Sequence, residues 1–354
     1  MHRILVINPG STSTKVALYE DEREAWSETI VYDKNQLDGY ERVIEQYEMR
    51  RLDVEETQKK RNLDLKSLSA VVGRGGPFKS LKSGTYRVDE NLLEDVKAGR
   101  VQAEHISNIG VMLADELARK AGVPAFFVDP VSVDEFESLA RVSGIPELER
   151  VSLLHTLSVR ATAHKAAKDL GREYSDLNFI VAHLGGGISI CPIRKGRIVD
   201  VNNANEGGPF APERAGGLPS SSLVKLCYSG KFSYSEMKKR LVGNGGLAAH
   251  LGTNDSREVE KRIAGGDEKA RLIYEAMAYQ IAKEIGAMAT VLKGEIDAIL
   301  LTGGIAKSDM LVEWITERVS FLAPVRVYAG ENEMEALALG VLRVLRGEEE
   351  GKKY

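Results

Sequence analysis

The sequence predicts an α/β protein made of two lobes with a ligand cleft between them, and three observations carry that reading. Apolar runs of strand length alternate with helix-periodic stretches along all 354 residues, the pattern of layered α/β folds. Two stretches share one plan: ILVINPGSTSTKVALYEDERE at 4–24 and IVAHLGGGISICPIRKGRIV at 180–199 each read as strand, small-residue loop, strand, charged turn, strand. The 34 glycines cluster at strand ends rather than in a period, which suggests backbone brought close to a ligand. At 43% apolar residues the chain can bury a core large enough for two domains.

Taken in order, residues 3–7, 16–20 and 27–32 are expected as successive strands, with Asn8 to Thr14 joining the first two. The highly charged stretch 35–62 reads as helical. SAVVGRGG at 69–76 reads as a buried strand ending in a glycine turn. Residues 102–122 space Ile106, Ile109, Met112, Leu113 and Leu117 as a helix does, and VPAFFVDP is a strand stopping at Asp129-Pro130. The second half opens with a helix over 153–171, a strand over 177–187 that runs into glycines, and a hairpin over 188–201 turning at Lys195-Gly196. A helix over 272–292 carries the stripe Ile273, Met277, Ile281, Ile285, Met288 and Leu292. Residues 297–308 form a buried strand opening into glycines, and 325–345 supply a strand, a turn and a closing helix.

Composition also excludes. A net charge of −4 with no basic block argues against nucleic acid, whose backbone is gripped by Lys and Arg. No run of 18 apolar residues is present to span a membrane, and MHRILVIN is too short and too polar at its end for a signal peptide. Cys191 and Cys227 are too few for a disulfide scaffold or a cysteine metal site, so a reducing cytoplasm is the expected compartment.

The chemistry-bearing residues sit in the loops. Asn8 to Lys15 offers a Pro-Gly turn, four consecutive hydroxyl residues and an ammonium, groups that together surround a phosphate. An ordinary hairpin turn explains the same letters, and neither the P-loop spacing nor G-x-G-x-x-G is present. HLGGG and LTGGIAKS repeat the strand-then-glycine arrangement, and three such loops suit a triphosphate and its base. Asp129, at the end of an apolar strand, and Glu333, just before the last helix, are the candidate Mg²⁺ carboxylates; a helix cap is the plainer reading of Glu333. Arg74 lies between glycines that would give a guanidinium room, though a surface turn explains the same letters, and Arg214, in FAPERAGGLP, has a similar profile. His183, directly before glycines, is the most suggestive histidine, ahead of His155 and His105; His164 and His2 look incidental. No H-x-x-x-H or C-x-x-C spacing supports a zinc site.

NPGSTSTK (8–15), VVGRGGPF (71–78), FFVDPV (126–131), HLGGGIS (183–189), NEGGPFAPERAGGLP (205–219), LTGGIAKS (301–308) and GENE (330–333) together resemble the acetate and butyrate kinases, in order and over the whole length. The butyrate branch is the nearer: VVGRGG stands where the acetate branch has HRVVHGG, and Gly186 where it has Asn. The resemblance implies the actin-like superfamily of sugar kinases and chaperone ATPases, with two duplicated ribonuclease H-like lobes and nucleotide in the interlobe cleft. It implies a first lobe of 1–150 completed by 333–354, and a second of 151–332 carrying the nucleotide and dimer surfaces. It further implies ATP, Mg²⁺, a short-chain carboxylic acid and a homodimer. Carried across by residue, Asn8, Ser11, Ser13 and Lys15 form the phosphate-side loop, and Asp129 and Glu333 flank Mg²⁺. Arg214, His183 and His155 attend the transferred phosphoryl group, Arg74 stands near the carboxylate site, and His105 is structural. Gly185, Gly186, Gly252, Asp255, Gly303, Gly304 and Ile305 lie on the nucleotide side. The expected reaction is phosphorylation of butyrate or a similar short or branched acid. An acetate or propionate kinase and an ATPase switch lacking an acyl acceptor are the alternatives.

Overall fold

The first apolar runs pair as a hairpin, and the rest of each sheet grows from such a beginning. The computed structural model describes residues 1–330 and 332–354. It divides into two units, Met1–Asp134 with Asn332–Tyr354, and Glu135–Glu331.

In the first unit, β1 (Arg3–Pro9), β2 (Ser13–Glu20) and β3 (Arg23–Val31) form an antiparallel meander. The short helix α1 (Lys34–Leu37) and the long α2 (Tyr47–Lys60) follow. Then come β4 (Ala70–Arg74), β5 (Thr85–Arg87), α3 (Glu90–Lys97), α4 (Asn108–Ala121) and β6 (Ala125–Val128). The sheet order is β3-β2-β1-β4-β6-β5, with β1, β4 and β6 parallel. Side chains alternate across a strand. Leu5, Ile7, Val71 and Phe127 therefore share one face with Ile109 and Leu113 of α4. The helix expected over 102–122 starts only at Asn108. The Asn108 side chain donates to the Ala103 carbonyl at 2.9 Å, which holds the preceding residues in a turn outside the helical ladder. Gly122, at φ +73°, ends the helix in the left-handed region that glycine favours. In α2 the buried residues are Arg50, Val54, Thr57 and Gln58, a helical stripe with one aliphatic member.

In the second unit, α5 (Ser138–Arg141) and α6 (Thr156–Leu170) precede β7 (Asn178–Leu184), β8 (Ile188–Arg194) and β9 (Arg197–Ile198). A helical stretch follows: α7 (Ser220–Cys227), α8 (Tyr234–Leu241), α9 (Gly246–Leu251), α10 (Ser256–Ala264) and α11 (Glu268–Val291). The unit closes with β10 (Ala298–Gly303), α12 (Asp309–Val319) and β11 (Val325–Ala329). Its sheet order, β11-β10-β7-β8-β9, repeats that of the first sheet from β6 to β3, with the same parallel and antiparallel senses. Ile180, Ala182 and Leu184 face Met277, Ile281 and Ile285 of α11, while Phe179 and Val181 face Val159 and Ala163 of α6. Finally α13 (Glu333–Leu345) returns to the first unit, where it packs on β1, β4 and β6. A Cβ at Gly340 would lie 2.6 Å from Val128 Cγ1, so the absent side chain lets α13 sit flush on the sheet. Among the described residues no helix is long and apolar enough to cross a membrane.

Candidate active site

In the first unit the predicted phosphate loop is tighter than its letters suggest. The ladder pairs Asn8 with Lys15 and Pro9 with Thr14, so Asn8, Ser13 and Lys15 are strand residues and only Gly10, Ser11 and Thr12 turn. Gly10 N–H donates to the Ser13 carbonyl at 2.7 Å and closes the turn. Ser11 and Lys15 are exposed. The Asn8 amide donates to Glu333 Oε2 at 2.8 Å, and Arg74 Nη1 meets Glu333 Oε1 at 2.5 Å. Asn8, Arg74 and Glu333 thus form one cluster at the ends of β1, β4 and the start of α13. Asp129 is 3% exposed and adopts φ +42°, a strained conformation for a residue with a side chain. Its Oδ1 accepts the Gly84 N–H at 2.7 Å.

The glycines around Arg74 serve the fold. A Cβ at Gly73 would fall 2.1 Å from the Gly110 carbonyl oxygen, one at Gly75 2.8 Å from Pro130 Cβ, and one at Gly76 1.8 Å from Asn108 Oδ1. Gly73 and Gly76 bring the strand end and α4 together, a packing duty that stands beside the expectation that they make room for the guanidinium. His105 Nδ1 accepts the Ser107 N–H at 3.2 Å, a local bond at the entry to α4.

The second unit gathers a different set. His155 and His183 stack with ring centroids 4.2 Å apart and planes at 17°. Their serine partners cross over. Ser158 lies three residues after His155 and bonds His183 Nδ1 at 2.9 Å; Ser189 pairs with His183 across the β7–β8 ladder and bonds His155 Nδ1 at 2.9 Å. Each ring is thereby oriented by the other's neighbour. A Cβ at Gly185 would lie 3.1 Å from His183 Nε2, and one at Gly187 2.8 Å from Arg214 Cζ, so these glycines make space for the His183 and Arg214 side chains. Arg214 Nη1 donates to Asn205 Oδ1. Burial pushes the guanidinium's pKa below its usual value, with the Glu213 carboxylate acting against that shift; an arginine nevertheless stays charged. Glu213 joins two loops: its carboxylate accepts from Asn254 Nδ2 at 2.5 Å, and it lies 3.5 Å from where a Gly186 Cβ would be.

The remaining nucleotide-side candidates have structural duties of their own. Gly252 ends α9 at φ +77°. Asp255 caps α10 and pairs with Arg257, which together hold its carboxyl down to about 2. Gly303, at φ +93°, presses on the end of β7, where a Cβ would come 2.3 Å from the Leu184 carbonyl oxygen. Gly304 and Ile305 begin the 3₁₀ turn 304–307. Because β10 neighbours β7, with Thr302 beside His183, this turn and the Gly185–Gly187 loop emerge side by side.

Three comparisons place the chain. The sequence profile of the Acetokinase family matches residues 150–332. The chain is 54% identical over 354 residues to the probable butyrate kinase 2 of Caldanaerobacter subterraneus subsp. tengcongensis, covering 100% of both chains. It is 50% identical to butyrate kinase 2 of Clostridium acetobutylicum, covering 99% of each. The chain belongs to the acetate and butyrate kinase family, within the actin-like ATPase superfamily. The family's fold is visible too: the crystal structure of Porphyromonas gingivalis acetate kinase superposes with a TM-score of 0.77 over 98% of this chain and 100% of that one, at 20% identity.

Ser158, Ser189, Asn205, Glu213 and Asn254 are the residues that motif reading missed. Ser189, Asn205 and Glu213 lie inside quoted motifs and Asn254 between Gly252 and Asp255, yet only the fold shows which atoms they hold.

Proposed function

We propose that this protein transfers the γ-phosphoryl group of ATP to the carboxylate of butyrate, or of a branched acid of similar size, giving an acyl phosphate and ADP, reversibly and by direct in-line displacement. What carries the reading is whole-length identity to relatives named as butyrate kinases. The site chemistry supports it. A carboxylate substrate is ionised at neutral pH, so it needs no strong base. One of its oxygens attacks phosphorus while the bond to the bridging oxygen of ADP breaks. The obstacle is repulsion between two anions, and positioned cations relieve it. Arg214, with His183 and His155, neutralises the phosphoryl oxygens. Ser11, Ser13, Lys15 and Asn8 bind the phosphate chain. Arg74 pairs with the Glu333 carboxylate, and the same guanidinium is proposed to hold the substrate's carboxylate.

Mg²⁺ is implied by the reaction, and the donors present suit it. Asp129 and Glu333 offer carboxylate oxygens, and Mg²⁺ characteristically takes one or two of these with phosphate and water completing its shell. Among the described residues no group of three or more His, Cys, Asp or Glu is placed to hold a metal ion. When bound, the ion supplies charge neutralisation at the phosphate oxygens.

Hydroxamate trapping of acyl phosphate with ATP, Mg²⁺ and acids of two to five carbons tests the proposal. Each buried methylene contributes about 0.8 kcal/mol, roughly fourfold. Butyrate should therefore exceed acetate about fifteenfold in kcat/KM. Acetate or propionate in the lead would make this an acetate or propionate kinase. ATP hydrolysis without hydroxamate from any acid would leave an ATPase switch.

A further inference from the structure

Arg50 is a fully buried charged residue that the proposed mechanism leaves unused. It belongs to α2, is 0% exposed, and lies directly beneath the β1–β2 turn. Its Nη1 donates to the carbonyls of Gly10 (2.9 Å) and Ser13 (3.0 Å) and to Thr14 Oγ1 (2.9 Å). Nη2 reaches the Ser11 carbonyl at 3.2 Å and Gln46 Oε1 at 2.9 Å, and Nε shares that Gln46 oxygen at 3.2 Å. The guanidinium also stacks 4.4 Å from the Tyr32 ring centroid, while Tyr32 N–H takes the Thr12 carbonyl at 2.9 Å. Every carbonyl from Gly10 to Ser13 is thus bound by a donor of the protein.

A consequence follows from peptide geometry. In a trans peptide the C=O and the next N–H point to opposite sides. With the Gly10 and Ser11 carbonyls turned onto Arg50, the N–H groups of Ser11 and Thr12 point away from it. Among the described residues neither N–H has a protein acceptor. Successive outward N–H groups with a cation behind them make an anion cradle. All of Arg50's hydrogen-bond acceptors are neutral; Asp53 acts on it through space without forming an ion pair. A buried cation so placed stabilises an anion across the turn.

We infer that Arg50 is the positioning residue of the phosphate loop: it fixes the carbonyls inward, so that the Ser11 and Thr12 amides face ATP's phosphates, and it adds its own charge to that site. This rests on the reading that the loop binds ATP. The test is calorimetric titration of the full chain with MgATP and, separately, with adenosine. Arg50→Gln should weaken MgATP binding by roughly thirtyfold, in the range of charged hydrogen bonds, and Arg50→Lys, which keeps the charge, by about fivefold, with adenosine unchanged. Gln46→Ala, which loosens the guanidinium without removing it, should give a smaller loss of the same kind and serves if Arg50→Gln does not fold. A purely structural role would lower the melting temperature and leave the MgATP-to-adenosine ratio of the folded variants at the wild-type value, which overturns the inference. Wild-type protein that binds MgATP no better than adenosine would overturn the loop reading and this inference together.

Discussion

The hairpins β1–β2 and β7–β8 occupy equivalent places in sheets of the same strand order, yet their turns are built for opposite purposes. The first has side chains at almost every position, and its backbone is clamped from below, so that amides and hydroxyls are presented in a fixed array. The second, Gly185–Gly187, has none. Its bareness makes room for side chains that come from elsewhere, the His183 ring at one glycine and the Arg214 guanidinium at another. One topology therefore yields a turn that presents its own atoms and a turn that yields space. A group that must stay put for a phosphate chain suits the first, and groups that must meet a transferring phosphoryl suit the second.

Substitutions can break or sharpen that contrast. The largest expected effect is from Arg214→Ala, a fall in kcat of roughly a hundred- to a thousandfold, the scale seen when one oxyanion-stabilising donor is removed. Its circular dichroism melt should match wild type, and near-normal turnover would take Arg214 out of the mechanism. Next, Gly187→Ala puts a methyl where Arg214 Cζ would be 2.8 Å away and forces the guanidinium aside. It should lower kcat about tenfold with the ATP KM held within about twofold, whereas Ser11→Ala in the first turn should raise that KM about threefold with kcat held. If both variants moved the same parameter, the contrast between the turns would collapse. Among the substitutions expected to lower kcat, Ser158→Ala should have the smallest effect: it removes the serine bond to His183 Nδ1 and should cost about 1 kcal/mol, roughly fivefold in kcat, with Ser158→Thr restoring most of it. Failure of the threonine to rescue would mean that the hydroxyl does not orient the ring.

The strands and the long helices were legible because burial imposes a period on apolar residues; Ile281, Ile285 and Met288 line up in α11 as their spacing requires. The turns were legible as turns, but not their length, since a ladder that continues through Asn8 and Lys15 leaves no mark in residue type. VVGRGG was open to two readings, because a glycine needed by a passing helix and one needed by a ligand are written alike; the approach of Gly110 shows the packing duty of Gly73. The crossed Ser158–His183 and Ser189–His155 bonds join distant segments, so no local pattern announces them. Arg50 was hidden for another reason. In a stretch as charged as 35–62, one more arginine reads as solvated, although it is the most deeply placed cation of its helix.

The return of α13 has a bearing on how the protein is made. β1, β4 and β6 are synthesised early, but the helix that packs on them appears only after residue 333, and Lys352 must then exchange backbone bonds with Thr85 and Arg87. During translation the second unit can fold in one piece while the first waits with part of its sheet uncovered. Contacts spanning more than 250 residues close slowly, and exposed apolar strands invite aggregation meanwhile. Ribosome-bound chains stopped before residue 333 should thus display the unit that was begun first as the last to become protease-resistant.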